Sequence, residues 1–205
     1  MGEQPFPDHQ WQPIPPEEVA ALLSDAPFRW YLAGGYAIER FVGSACRDHS
    51  DTDIVVARPD QVALQTQLAG WHLYAADPPG TLRPWLQGEF LPVGVHDIWG
   101  YRAGREAWEL QVMLQEVDGD RWWYRREPSI GGPLAELVVE IDGIPCLRPE
   151  FQLFYKSKGL REKDREDFRR CLPRLDARQR GRLGALMREA YPEGHDWLDR
   201  LAFWA

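Results

Sequence analysis

Cysteine is scarce in this sequence: Cys46, Cys146 and Cys171 are an odd number, widely separated, and form no C-x-x-C pair. That pattern argues against a disulfide framework and against a structural zinc site. Long apolar runs are also missing, with no stretch of about eighteen apolar residues, so no membrane span is expected. The polar, proline-containing start, residues 1–16, lacks the apolar core of a signal peptide, and a cytoplasmic location is expected. Positive charge is in deficit, since 24 Lys and Arg face 32 Asp and Glu for a net charge of −8. Nonspecific nucleic-acid affinity comes mainly from Lys and Arg, so the expected partner is a small or cationic molecule and not a nucleic acid.

What is present fits a globular chain. At 205 residues, with 44% hydrophobic and 27% charged, the sequence can bury a sizeable core as one domain or as a domain with an appendage. Residues 1–16 read as an extended arm, and Pro16 opens a short helix with Glu17 and Glu18 in its first turn. Helical spacing then predicts 36–42 and 60–69, the latter stopping at Gly70. Strands are predicted at 29–32, 53–57, 71–75, 95–101, 108–117 and 121–126, and a hairpin at 137–147 turns at Asp142-Gly143. Beyond Pro149 the composition becomes helical, with segments at 150–158, 163–171, 176–189 and 195–203. The expected architecture is α/β of the α+β type: a mixed, largely antiparallel sheet flanked by helices over 1–148, followed by a small helical part over 149–205.

The most informative stretch is 32–54, L-A-G-G-Y-A-I-E-R-F-V-G-S-A-C-R-D-H-S-D-T-D-I, which couples a glycine doublet to a downstream Asp-x-Asp. Gly34 and Gly35 fall at a strand-to-helix turn, where the missing Cβ atoms let a phosphate approach backbone N–H groups. Asp51 and Asp53 lie at the mouth of the next strand. Residues two apart on a strand face the same side, so both carboxylates can hold Mg²⁺. A G-G before a helix is common, and an Asp-x-Asp is usually a turn or a cap; the ordered pair at strand-helix-strand spacing is the specific signal.

Nucleotidyl transfer needs an in-line attack on the α-phosphorus, with metal ions offsetting charge on the attacking and leaving oxygens. A third carboxylate usually completes such a site from a neighbouring strand. In W-E-L-Q-V-M-L the candidate is Glu109, an exposed strand carboxylate beside a core-facing Trp108; Gln111 is expected on the same side but cannot act as a base. Asp97 and Glu116 are further candidates on adjacent strand segments.

The G-G-Y-A, R-x-H-x-D-x-D, K-x-K and K-D-x-x-D-F elements, spread over roughly residues 29–172, resemble the nucleotidyltransferases of the polymerase-beta superfamily, and among them proteins related to aminoglycoside 2''-adenylyltransferases. The resemblance implies a nucleotidyltransferase domain, ATP as co-substrate, Mg²⁺ as cofactor, and transfer of AMP to a hydroxyl of a small acceptor such as an aminoglycoside. It places the glycine pair on Gly34 and Gly35 and the metal carboxylates on Asp51 and Asp53. Arg47 and His49 then precede the metal pair, with Arg47 a candidate phosphate contact and His49 a holder of the loop.

Lys156 and Lys158 fall on the first C-terminal helix, where residues two apart cannot share a face. At most one reaches the nucleotide, and Lys158 is preferred. Some relatives carry Asp where Gln111 stands, so either Glu109 substitutes or catalysis is impaired. The run 163–167 reads as a solvated helix face. Of ten tryptophans, most are expected in the core, with one or two lining an acceptor pocket. Three alternatives remain open: a toxin-like enzyme acting on transfer RNA, a nucleotide-binding homologue without turnover, and an interaction protein with no nucleotide site.

Overall fold

The structure, a computed structural model, describes residues 9–45 and 47–203; half of the expected N-terminal arm, 1–8, and Cys46 lie outside the described residues. The chain runs through β1 Gln10–Trp11, α1 Pro16–Leu22, β2 Trp30–Leu32, α2 Gly34–Val42, β3 Asp53–Ala57, α3 Gln61–Gln67, β4 Trp71–Ala76 and β5 Leu82–Pro84. It continues through β6 Asp97–Arg102, β7 Ala107–Trp108, β8 Leu110–Gln115, β9 Val117–Asp118, β10 Arg121–Tyr124, β11 Glu127–Pro133, β12 Val138–Ile141 and β13 Ile144–Leu147. The helices α4 Pro149–Ser157, α5 Glu162–Cys171, α6 Ala177–Ala190 and α7 Asp196–Phe203 follow. The fold is mixed α/β, with a largely antiparallel sheet and helices at the C-terminal end. Among the described residues no helix is long and apolar enough to cross a membrane.

The contacts group the chain into two compact units, one formed by Asp48–Glu116 with the chain up to Leu32, the other by Ala33–Arg47 with Val117–Ala205. The composition change after residue 148 falls inside the second unit. In the first, six strands lie in the order β2-β3-β8-β6-β4-β5, and β3–β8 is the one parallel pair among them. β8 alternates buried and half-exposed residues, and its buried Val112 shares a face with the fully buried Ile54 and Ile98. That alternation seals one face of the sheet with aliphatic side chains and leaves the other half open.

A buried guanidinium ties this unit's long loop down. Arg58, 5% exposed, forks onto both Glu116 oxygens and donates through Nη1 to the carbonyls of Leu91, Pro92 and Val95 at 3.3, 3.1 and 2.9 Å. Gln61 adds a reciprocal pair with the Leu91 backbone.

In the second unit the β12–β13 hairpin turns at Asp142-Gly143, both at positive φ, as the sequence predicts. β11, which ends in Gly131-Gly132-Pro133, pairs with β10. α6 begins with a reciprocal cap: Gln179 N donates to Asp176 at 2.7 Å and Asp176 N to Gln179 Oε1 at 2.9 Å. α4 packs against α2, α5 and α6.

The expected solvated face at 163–167 is corrected by this packing. Asp164 and Asp167 stand three apart on α5 and therefore share a face, and they are 0% and 1% exposed. Lys156 of α4, itself buried, meets Asp167 at 2.8 Å and Asp164 at 3.4 Å, and Arg161 closes on Asp164 at 2.8 Å. Burial pushes the Asp164 carboxyl up, but the Arg161 hydrogen bonds and the Lys156 and Arg161 charges outweigh it and hold the group below its ordinary range.

Both buried ion networks give stability predictions. Arg58→Lys keeps the charge but loses the planar fork, and urea unfolding should show a loss of about 3 kcal/mol. Lys156→Met leaves two buried carboxylates without their shared cation, and the same measurement should again show a loss of about 3 kcal/mol.

Candidate functional site

Three consecutive residues build the acidic end of β3. Thr52 is fully buried; its Oγ1 donates to Ile14 O at 2.6 Å and its carbonyl accepts from Gln111 N at 2.8 Å. Thr52 is turned into the core, and the residues on either side of it, Asp51 just before the strand and Asp53 at its first position, are both half-buried. Two hard-oxygen carboxylates match the share that a protein usually contributes to Mg²⁺, whose other ligands are water and phosphate oxygens. The donor set of Asp51 and Asp53 therefore fits the ion that the resemblance implies.

The neighbouring strand brings an amide to this place. Gln111 is the register partner of Asp53 across the parallel β3–β8 pair, so the two side chains share a face. Gln111 Nε2 donates to Asp97 Oδ1 at 3.2 Å, and Asp97 Oδ2 lies 3.2 Å from His96 Nε2. Among the described residues no three His, Cys, Asp or Glu side chains are grouped so as to hold a metal ion.

Glu109 departs from expectation in its surroundings. It is 4% exposed, not an open strand carboxylate, and it falls in the gap between β7 and β8. Glu109 N donates to Gly100 O at 3.0 Å while Leu110 pairs with the same Gly100. Two residues opposite one is the arrangement of a β-bulge, so two-residue alternation does not carry from Glu109 to Gln111. The carboxylate accepts from Arg102 N at 2.8 Å and from Arg102 Nε and Nη2. Arg102 also pairs with Glu18. Burial pushes the Glu109 carboxyl up, but the Arg102 hydrogen bonds and the charges of Arg102 and Arg105 prevail and hold it below the usual glutamate range. Glu116, the other downstream candidate, is buried against Arg58.

His49 lies in the first unit, and the glycine pair, Arg47 and the two lysines lie in the second. Gly34, at φ 66°, and Gly35 open α2 and are buried. A side chain at Gly34 would be strained in that left-handed conformation. Its N–H is already engaged, donating to Gln152 Oε1 at 2.8 Å. Arg47 Nη2 approaches Asp167 Oδ2 at 3.9 Å. Lys158 is exposed at the end of α4, whereas Lys156 is the buried cation of the network above. The two lysines thus diverge as their spacing predicts.

Thr52, Gln152 and the bonding of Asp97, already a candidate, to Gln111 and His96 came only from the structure. Thr52 had one visible signal, a small polar residue between two aspartates entering a strand. Gln152 had none, because its partner is 118 positions away in sequence.

Residues 17–77 match the model of the aminoglycoside-2''-adenylyltransferase family. Among curated proteins none matches the chain. The solution structure of the antibiotic-resistance factor ANT(2'')-Ia superposes with a TM-score of 0.57 at 16% identity, covering 86% of this chain and 91% of that one. ANT(2'')-Ia in complex with adenylyl-2''-tobramycin gives 0.54 at 15%, covering 85% and 95%. The lincosamide antibiotic adenylyltransferase LnuA, lincomycin-bound, gives 0.52 at 16%, covering 75% and 92%. The chain has the nucleotidyltransferase fold of these antibiotic adenylyltransferases, and the matched segment 17–77, which carries its glycine pair and its Asp-x-Asp, bears the sequence signature of the aminoglycoside-2''-adenylyltransferase family.

Proposed function

We propose that this chain transfers a nucleoside monophosphate, AMP from ATP, to a hydroxyl of a small acceptor, with Mg²⁺ held by Asp51 and Asp53. The observation that carries this reading is the pair of half-buried carboxylates flanking buried Thr52, inside the segment that matches the adenylyltransferase family. Bound Mg²⁺ supplies charge neutralisation at the triphosphate. The backbone at Gly35, at the start of α2, serves the β and γ phosphates, with Gly34 held in place by Gln152. Arg47 and Lys158 are the cationic phosphate contacts. The acceptor oxygen forms a bond to the α-phosphorus as the bond to the bridging oxygen breaks; pyrophosphate leaves, and the hydroxyl proton passes to solvent water. The acceptor is small and cationic, as the acidic balance of the chain favours, and the tobramycin and lincomycin of the solved relatives are the first compounds to try.

One observation favours a second reading, nucleotide binding without turnover. The strand position beside Asp53 holds Gln111, which has no basic oxygen, and Glu109 is a poor proton acceptor because Arg102 holds it ionised.

Calorimetric titration of Mg-ATP, followed by pyrophosphate release with tobramycin or lincomycin, separates the two. Asp53→Ala should weaken Mg-ATP binding by at least about tenfold; equal binding by wild type and variant would sink both readings. Under the second reading wild type binds without releasing pyrophosphate, and Gln111→Asp should raise release above the wild-type level. Glu109→Gln tests the ion-pair role. A carboxyl held below its ordinary value stabilises the fold above about pH 4.3, and the benefit disappears as pH falls through the folded value. Urea midpoints should therefore show the variant weaker at pH 7, with the gap closing below about pH 4, while Mg-ATP binding is unchanged.

A further inference from the structure

The open face of the first unit's sheet changes character along a single row. Tyr74, Trp99, Gln111 and Asp53 are successive register partners across β4, β6, β8 and β3, so their side chains share one side. At about 4.8 Å per strand, Trp99 stands about 10 Å from Asp53 along the row. The row thus runs from a carboxylate to an aromatic surface.

That surface packs on a buried ring. Buried Trp108, 2% exposed, meets Trp99, Tyr74 and Tyr101 edge-on at ring-centroid distances of 5.5, 5.3 and 5.3 Å. Trp11 of β1 packs its ring edge against Trp99 at 5.1 Å. Trp11, Tyr74 and Trp99 remain half-exposed around this buried post. Packed aromatic faces open to solvent suit a ligand whose binding should not cost side-chain ordering.

Charge selects the ligand. On this face none of the alternating positions of β3, β4, β6 and β8 is lysine or arginine. The cation–π pairs among the described residues use other rings, Arg102 over Trp71, Arg126 over Tyr124 and Arg182 over Phe151. Asp97, which opens β6 two residues before Trp99 and is 31% exposed, faces the same side. Its bonds to Gln111 and His96 use two of the roughly four lone-pair sites of a carboxylate, leaving capacity for a further donor.

We infer that Trp99, with Trp11 and Tyr74, forms the acceptor platform, selecting an alcohol that carries an organic ammonium group and an apolar ring face, with Asp97 as the counter-charge. The hydroxyl end of this inference rests on the transfer reading above; the platform is tested without nucleotide. Such an acceptor extends about 10 Å from its reacting hydroxyl near Asp53 to the ring over Trp99. A densely polar polyamine satisfies Asp97 but gains little from the rings.

Calorimetry on the full chain with benzyltrimethylammonium, and with spermidine for comparison, reads the platform directly. Saturable binding of benzyltrimethylammonium, tighter than that of spermidine and weakened about tenfold in Trp99→Leu, is expected. Trp11→Leu, which removes a ring nearer the edge of the cluster, should weaken it as well and guards against a folding defect in the first variant; circular dichroism and Mg-ATP binding should match wild type in both. Absence of saturable binding would overturn the platform, as would unchanged affinity in both variants or spermidine binding as tightly as benzyltrimethylammonium. Loss of the transfer reading appears separately, as Mg-ATP binding indifferent to Asp53→Ala.

Discussion

The parallel pairing of β3 with β8 is the constraint on which the candidate site depends. Thr52 pins its head from both sides, through its hydroxyl to Ile14 and through its carbonyl to Gln111. With that register set, the period of two sends Ile54 and Val112 into the sealed face and Asp53 and Gln111 to the open one. A slip of one residue would bury Asp53 and expose the aliphatic side chains, which the core does not permit. The same register, carried on through β6 and β4, aligns Asp97, Trp99 and Tyr74 with the acidic end. Acid and aromatic surfaces are therefore parts of one sheet face.

A chain with eight more acids than bases has carboxylates to hide, and this one hides them against specific cations. Glu116 meets Arg58, Glu109 meets Arg102, and Asp164 and Asp167 share Lys156. Buried pairs of this sort add little net stability over an apolar replacement, but losing one partner is severe. Their use is geometric. Arg58 holds three loop carbonyls, and Arg102 fixes the bulge before β8. Asp51, Asp53 and Asp97 stay half-exposed, and Asp53 and Asp97 lie on the open face, where chemistry requires access.

Much of this was legible from residue order alone. The helices and most strands follow from apolar spacing, Asp-Gly turns and proline or glycine stops, all local signals. So does the pairing of Gly34 and Gly35 with Asp51 and Asp53, which lie within one strand-helix-strand stretch. Glu109 shows where local reading ends. Its alternation with Gln111 assumed an unbroken strand, and the bulge opposite Gly100 breaks the count. Asp164 and Asp167 were read as solvated because charge suggests solvent; the cation that accompanies them into the core, Lys156, lies on another helix.

The sequence by itself determined most elements, the fold class and which carboxylates are the metal candidates, because each depends on neighbours a few residues apart. Only the tertiary structure decided which residue stands beside Asp53, which acid Arg102 takes, and that the tryptophans of β1, β6 and β7 meet over one sheet face. Those outcomes depend on strand register and on partners dozens of positions apart, and chain order carries no local signal for either.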